Sequence, residues 1–449
     1  MNDPAAPATV AATRALDLAL ARGMLVVALF SVVASTARVA QDAAIAWRYG
    51  ATPVVDAYHL LLSLVNWPAA VALAMLTLLV PATEAALHRK AGGEAALWRS
   101  EMFGWAMLVS ALALPLAWWA LHLLTASGLV GLQAHAAALA VSGVPLIVMA
   151  VPLGLMGAVL SAWLIASGRH VLTLLEALPP LVMMMLVFAS SGLVLFWGTA
   201  TGIAVQLLTM AYVLHITQGL PKPRLTLDCG EWTAFRRSAL TLLAGQMLFA
   251  LTPLVDPFFA ARLGEGQIAT LSYANRLVLG LLSLVGLGLQ RAGLPLLVHV
   301  MATTPEQARR IVLRWSAAAA LAGLLIGLVI AVSADPLVAL IFERGQFTAQ
   351  SREQVAELLR YGMLQVPLFL VGLVIVTALA SERAIGFLAL VTGVGLLTKV
   401  ACSALLVPVL GVPGLLLATA LMYAATALTA WFALVRRLRG VAVDRLTQA

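Results

Sequence analysis

The sequence predicts an all-α polytopic membrane protein of about twelve transmembrane helices, arranged as two six-helix bundles related by a parallel pseudo-two-fold repeat. Three observations predict it. The chain of 449 residues is 62% hydrophobic and only 10% charged, with a mean hydropathy of +1.01, whereas soluble domains are about 45–50% apolar and about 25% charged. Its apolar residues fall in long runs. Its basic residues fall in alternate connections between those runs.

The apolar runs lie near Met24–Ile45, Leu60–Ala82, Trp105–Leu124, Ala138–Ile165, Val171–Ser190 and Leu193–Ile216. They resume near Leu240–Ala261, Leu277–Leu297, Ala317–Ala334, Leu364–Ala380, Ile385–Leu406 and Val412–Val435. Each is long enough to cross about 30 Å of hydrocarbon as a helix, with its backbone hydrogen bonds satisfied internally. Polar residues with Arg14 and Arg22 precede the first run, which reads as a retained anchor rather than a cleaved signal peptide.

With a cytoplasmic amino terminus, the inner loops hold Arg89, Lys90, Arg99, Arg169, Lys222, Arg224, Arg236, Arg237, Arg309, Arg310, Arg314 and Arg383, followed by Arg436, Arg437, Arg439 and Arg445. The outer loops hold only Arg48, Arg262, Arg344, Arg352 and Arg360. This bias predicts a multi-pass protein of a bacterial inner membrane with both termini in the cytoplasm. It also accounts for the net charge of +8 without nucleic acid as a partner.

The longest polar connection divides the chain into an N-terminal lobe (1–218), a cytoplasmic linker (219–237) and a C-terminal lobe (238–449). The first helix of each lobe ends alike. Asp42, Ala46, Arg48 and Gly50 recur at the same offsets as Asp256, Ala260, Arg262 and Gly264. An even number of spans per unit makes the repeat parallel, which places a binding site between the halves near mid-membrane.

An ionisable group at membrane depth is costly unless it faces a wet cavity or a partner. Arg38 and Asp42 stand one turn apart on one face of the first helix. They read either as a mutually neutralising pair or as a charged cavity wall with Asp42 orienting Arg38. Asp256 and Lys399 lie in separate apolar runs. They read either as an internal salt bridge or as an ion-coupling site where Asp256 alternates between Lys399 and a proton or sodium ion. Arg276 either grips a phosphate or snorkels to the headgroups.

Signals for catalysis are missing. The seven histidines show no metal-ligand spacing, no Walker loop is present and no loop gathers carboxylates. No enzyme activity and no cofactor are expected. Cys229 and Cys402 are too far apart in the pattern to pair.

Several segments resemble the MurJ/MviN lipid II flippases. RVAQDAAIAWRYGATPVVDAY (Arg38–Tyr58) is similar to that family's first helix and loop, and LSYANRL (Leu271–Leu277) to its eighth helix. LIFERGQFTAQS (Leu340–Ser351) resembles the segment after the ninth helix, with weaker echoes in ASGRH (Ala166–His170) and GVPGLLLAT (Gly411–Thr419). The resemblance implies two six-helix lobes around a cationic cavity that binds the diphosphate of a polyprenyl-linked sugar, with Asp42, Asp56 and Arg276 at the cavity or its gate. It further implies alternating access driven by membrane potential or an H+ or Na+ gradient, with membrane lipids and enzymes of glycan synthesis as partners.

The chain departs from the family in places. Gln41 stands where an arginine is expected, and the second helix reads Val65-Asn66-Trp67-Pro68-Ala69-Ala70 where the family carries two arginines. Two further C-terminal helices are lacking. Lys399 replaces an asparagine of a sodium site, so a tethered ammonium would occupy the ion's place. Fewer cavity arginines suggest a divergent paralogue that serves an exopolysaccharide or another lipid-linked glycan rather than lipid II itself. Two other readings stay open at this level. One is a cation-coupled multidrug exporter of the same superfamily; the other is a non-transporting scaffold for glycan synthesis.

Overall fold

A computed structural model describes residues 6–89, 93–168, 174–190, 192–301, 305–381 and 385–447. Lys90, Arg169, His170 and Arg383, which figured in the loop and motif readings, lie outside these residues. Among the described residues the elements are helices joined by short turns, with no strand.

The helices before the linker are α1 (Ala6–Tyr49), α2 (Pro53–Arg89), α3 (Glu94–Ala126), α4 (Ala134–Ile147), α5 (Ala150–Ala166), α6 (Leu178–Ala189) and α7 (Val194–Gln218). After it come α8 (Trp232–Ala260), α9 (Gln267–Met301), α10 (Pro305–Val332), α11 (Ala334–Phe342), α12 (Ala349–Met363), α13 (Gln365–Ser381), α14 (Ile385–Leu410) and α15 (Val412–Thr447).

Among the described residues, nine helices are long and apolar enough to cross a membrane, or ten if the bent pair α4–α5 is one span. This does not reach the twelve spans expected. Two of the expected runs account for part of the difference. Helices α4 and α5 meet at a 49° bend, between Pro145 and Pro152; prolines lack the N–H that continues the helical ladder. Helix α6 covers only Leu178–Ala189 and starts on Pro179 and Pro180, residues suited to the first turn.

Helix α2 packs against α4 and α5, α5 against α3 and α7, and α6 against α1 and α7. Among the later helices, α15 packs on α13 and α14, α10 on α13, and α9 on α12 and α13. The two sets meet where α1 touches α9 and where α2 touches α8 and α9. Large apolar side chains such as Leu112, Leu328, Leu405 and Phe432 stay exposed, as the lipid-facing surface of a membrane protein requires.

One end of this meeting is closed by backbone contacts. Helix α1 stops at Gly50, whose φ of 62° suits glycine at a helix end; a Cβ there would sit 2.6 Å from the Gln346 carbonyl oxygen. The Gln346 N–H donates to the Trp47 carbonyl at 2.9 Å, and the Tyr273 hydroxyl donates to the Gly50 carbonyl at 2.9 Å. Asp56, at the start of α2, accepts from the N–H groups of Gly266 at 2.5 Å and Ala269 at 2.8 Å. A carboxylate is thus supplied in trans to the N-terminus of α9, where helix N–H groups lack partners.

The linker is also fastened. Glu101 on α3 is fully buried and accepts from the Thr226 hydroxyl and the Trp232 indole, both at 2.6 Å, and from the Asp228 N–H at 2.7 Å. The Cys229 N–H adds a longer bond at 3.3 Å. The Arg224 N–H donates to the Ser100 carbonyl at 3.0 Å. Burial pushes the Cys229 thiol up from its ordinary pKa, and both cysteines are free.

Candidate functional site

A cavity of about 830 Å³ opens among α1, α2, α5, α6 and α7, with Arg276 of α9 closing it from the other set of helices. The residues of α2 that line it, from Tyr58 through Leu62, Asn66, Ala69, Ala70 and Leu73 to Thr77, recur at helical spacing and form one stripe. At 1.5 Å per residue the stripe runs about 28 Å, away from the closed end. Small residues Gly154, Gly157 and Ala158 of α5 leave its width open.

The cavity wall carries three charged side chains, Arg38, Glu176 and Arg276. Arg38 donates to Glu176 at 2.9 Å, and the two side chains are 40% and 43% exposed. Arg276 donates through Nε to Asp42 at 2.5 Å; the arginine side chain is 28% exposed and the aspartate side chain 1%. The other oxygen of Asp42 is buried with no hydrogen-bond partner. Neutral polar groups complete the wall, among them Gln41, Asn66, Thr77 and Gln206. Gln41 contacts the Tyr58 hydroxyl at 3.4 Å.

The expected Arg38–Asp42 partnership is therefore replaced by two others. A four-residue spacing on one helix allows a contact but does not compel it, and each charge finds a partner on another helix. Asp42 orients Arg276 rather than Arg38. Arg276 reaches the cavity instead of the headgroup layer. Asp56 does not itself line the cavity and sits at the closed end, two residues before Tyr58.

Asp256 and Lys399 meet at 2.5 Å. Lys399 is 1% exposed. Its ammonium also donates to the Leu415 carbonyl at 2.9 Å and to the Thr419 hydroxyl, so oxygens from α8 and α15 surround it. This cluster is separate from the cavity.

Two acids escaped notice in the sequence. Glu176 interrupts the run Val171–Ser190, where a lone acid among apolar residues was the available signal. Glu101 precedes an apolar run and gave no sign of its burial. Among the described residues no group of three His, Cys, Asp or Glu could hold a metal ion.

A family model described as "Lipid II flippase MurJ" matches residues 45–447. A "Probable lipid II flippase MurJ" of Bdellovibrio bacteriovorus is 33% identical over 183 residues, 38% of this chain; the match spans 33% of that relative's length. Among solved structures, a lipid II flippase MurJ in an inward closed conformation superposes with a TM-score of 0.76 at 14% identity, covering 93% of this chain and 91% of the other. An inward-facing multidrug resistance MATE family transporter gives 0.72 at 15% identity, over 91% and 95%. At these identities the structural likeness is one of fold.

Proposed function

The chain belongs to the MurJ family of lipid II flippases, and on that premise we propose that it carries a polyprenyl-diphosphate-linked sugar from the cytoplasmic to the outer leaflet by alternating access. The observation that carries this reading is the cavity itself. Two guanidinium groups, Arg38 and Arg276, face about 830 Å³ of space from within apolar helices. Each is held by a carboxylate, and each still lines open space where a phosphate can reach it.

In this reading the polyprenyl tail stays in the lipid while the diphosphate passes between Arg38 and Arg276. The Asn66 and Gln206 amides, which line the cavity, serve the sugar. The distribution of basic residues supports a cytoplasmic position for both termini. The end closed by Asp56 and Gly50 then faces outward, and the cavity is loaded from inside. With the cell interior negative, an outward-moving anion gains about 2.3 kcal/mol per charge per 100 mV, so the potential alone can drive the flip.

Lys399 supports a drive of that kind. A fixed ammonium already occupies the oxygens that a mobile cation would need, and the Asp256–Lys399 pair sets the conformational balance rather than coupling to sodium. The glycan belongs to peptidoglycan or an exopolysaccharide, and enzymes that assemble it on the inner face are proposed partners. Ala69 and Ala70 line the cavity at the positions of the missing arginines, which favours a weaker grip on the headgroup than a four-arginine wall would give.

The test is flipping of a fluorescent polyprenyl-diphosphate sugar in vesicles holding the purified chain. Arg276→Ala combined with Asp42→Asn, which leaves no orphaned carboxylate, should abolish flipping while the protein still expresses and folds. Full activity in that variant removes Arg276 from the binding role. Export of cationic dyes by the wild type, with no flipping, would replace this reading by drug export.

A further inference from the structure

We propose that Glu176 is an internal counter-ion that screens the cavity against singly charged phospholipid headgroups, so that only a doubly charged diphosphate displaces it. The inference rests on the flippase reading of the same cavity and adds to it the residue that sets charge selectivity.

The charges around the cavity cancel. Arg38 and Arg276 contribute two positive charges, and Glu176 and Asp42, their partners, contribute two negative ones. An incoming anion therefore meets no net attraction and must take an arginine from its carboxylate. The two pairs differ in how easily they yield. Asp42 is almost fully buried, and a buried carboxylate that loses its cation has no water to turn to. It holds the Arg276 Nε, and the Arg276 side chain, 28% exposed, still lines the cavity. The Arg38–Glu176 pair is about two-fifths exposed on each side, where ion pairs are worth little and water can replace a lost partner. Glu176 is the carboxylate that can leave.

The geometry sets what can displace it. Arg276 is held to α1 at Asp42, one helical turn (about 6 Å along the axis) from the backbone of Arg38, and both side chains line the same cavity. A diphosphate brings two charges and bridges both forks. It exchanges one carboxylate contact for bidentate hydrogen bonds at two sites. A phosphodiester headgroup such as that of phosphatidylglycerol brings one charge. At Arg38 it can only trade places with Glu176, and bulk anionic lipid is kept out of the path.

The experiment uses the full chain in nanodiscs of phosphatidylcholine alone or with three parts in ten phosphatidylglycerol, and measures binding of undecaprenyl diphosphate. For the wild type, phosphatidylglycerol should leave the apparent affinity within about twofold. For Glu176→Gln, binding in pure phosphatidylcholine should tighten about two- to fivefold, the range of an exposed ion pair, and phosphatidylglycerol should then weaken it at least fivefold. In an Arg38→Gln background the same substitution should change nothing further, because the competition has been removed. Equal sensitivity of wild type and Glu176→Gln to phosphatidylglycerol overturns the proposal, as does weaker diphosphate binding in Glu176→Gln. A wild type that binds no polyprenyl diphosphate in either nanodisc sinks the flippase reading itself, a result distinct from both.

Discussion

Replacing Lys399 by methionine tests whether the Asp256–Lys399 cluster holds the later helices together. The substitution keeps the length of the apolar stem and removes the ammonium. Three contacts disappear together: the ion pair to Asp256 at 2.5 Å, the bond to the Leu415 carbonyl at 2.9 Å and the bond to the Thr419 hydroxyl. Asp256, 17% exposed, is left without its cation among apolar helices. Breaking one side of a buried pair costs about 3–5 kcal/mol. Removing both sides by Lys399→Met with Asp256→Leu leaves no orphaned charge, and such double replacements are about neutral or stabilising by roughly 1–4 kcal/mol. Unfolding of the detergent-solubilised protein, followed by tryptophan fluorescence against temperature and denaturant, should show the single variant well below wild type and the double variant near it. A double variant as unstable as the single one, or a single variant equal to wild type, would refute the reasoning.

Two further outcomes follow from the contacts at the two ends of the molecule. Asp56→Ala removes two charge-assisted hydrogen bonds to the start of α9, worth about 1.5–3 kcal/mol each; it should open the closed end, read as faster labelling of a cysteine introduced at Ala51 in a background with Cys229 and Cys402 replaced by serine. Unchanged labelling would mean that the neighbouring backbone contacts suffice without Asp56. Glu101→Gln weakens the hold on the linker by replacing a carboxylate that accepts four hydrogen bonds, two at each oxygen, with an amide that must present a donor to two of them; trypsin should then cut after Arg224 several-fold faster than in the wild type, and equal rates would contradict the assigned role.

Much of the architecture was legible because lipid imposes simple rules. Hydrophobic runs near twenty residues follow from the bilayer and gave the helices, while the family came from the resemblance of segments such as LSYANRL. The aspartates that open the repeated motif, Asp42 and Asp256, each proved to hold a basic side chain from a distant helix. What a single helix could not reveal was the choice of partner. Arg38 and Asp42 share a face, yet each pairs elsewhere, because partner choice depends on which helices pack together. Glu176 and Glu101 stayed unread for the same reason: their partners lie 138 and more than 120 residues away in sequence. Asp56 was legible through a motif but not through physics, since its ligands are backbone N–H groups that carry no residue identity.

The bolted linker bears on where the molecule can flex. Glu101 secures the chain as far as Trp232, the first residue of α8, so the connecting segment has no slack to let out. A swing of the later helices against the earlier ones has to be absorbed within α8, which touches α2 on one side and α14 on the other. Pro253 and Pro257 interrupt its ladder on either side of Asp256, which makes this stretch the natural pivot. The lysine-bound aspartate would then sit at the fulcrum, and any charge change there would be felt as torque on the whole second half.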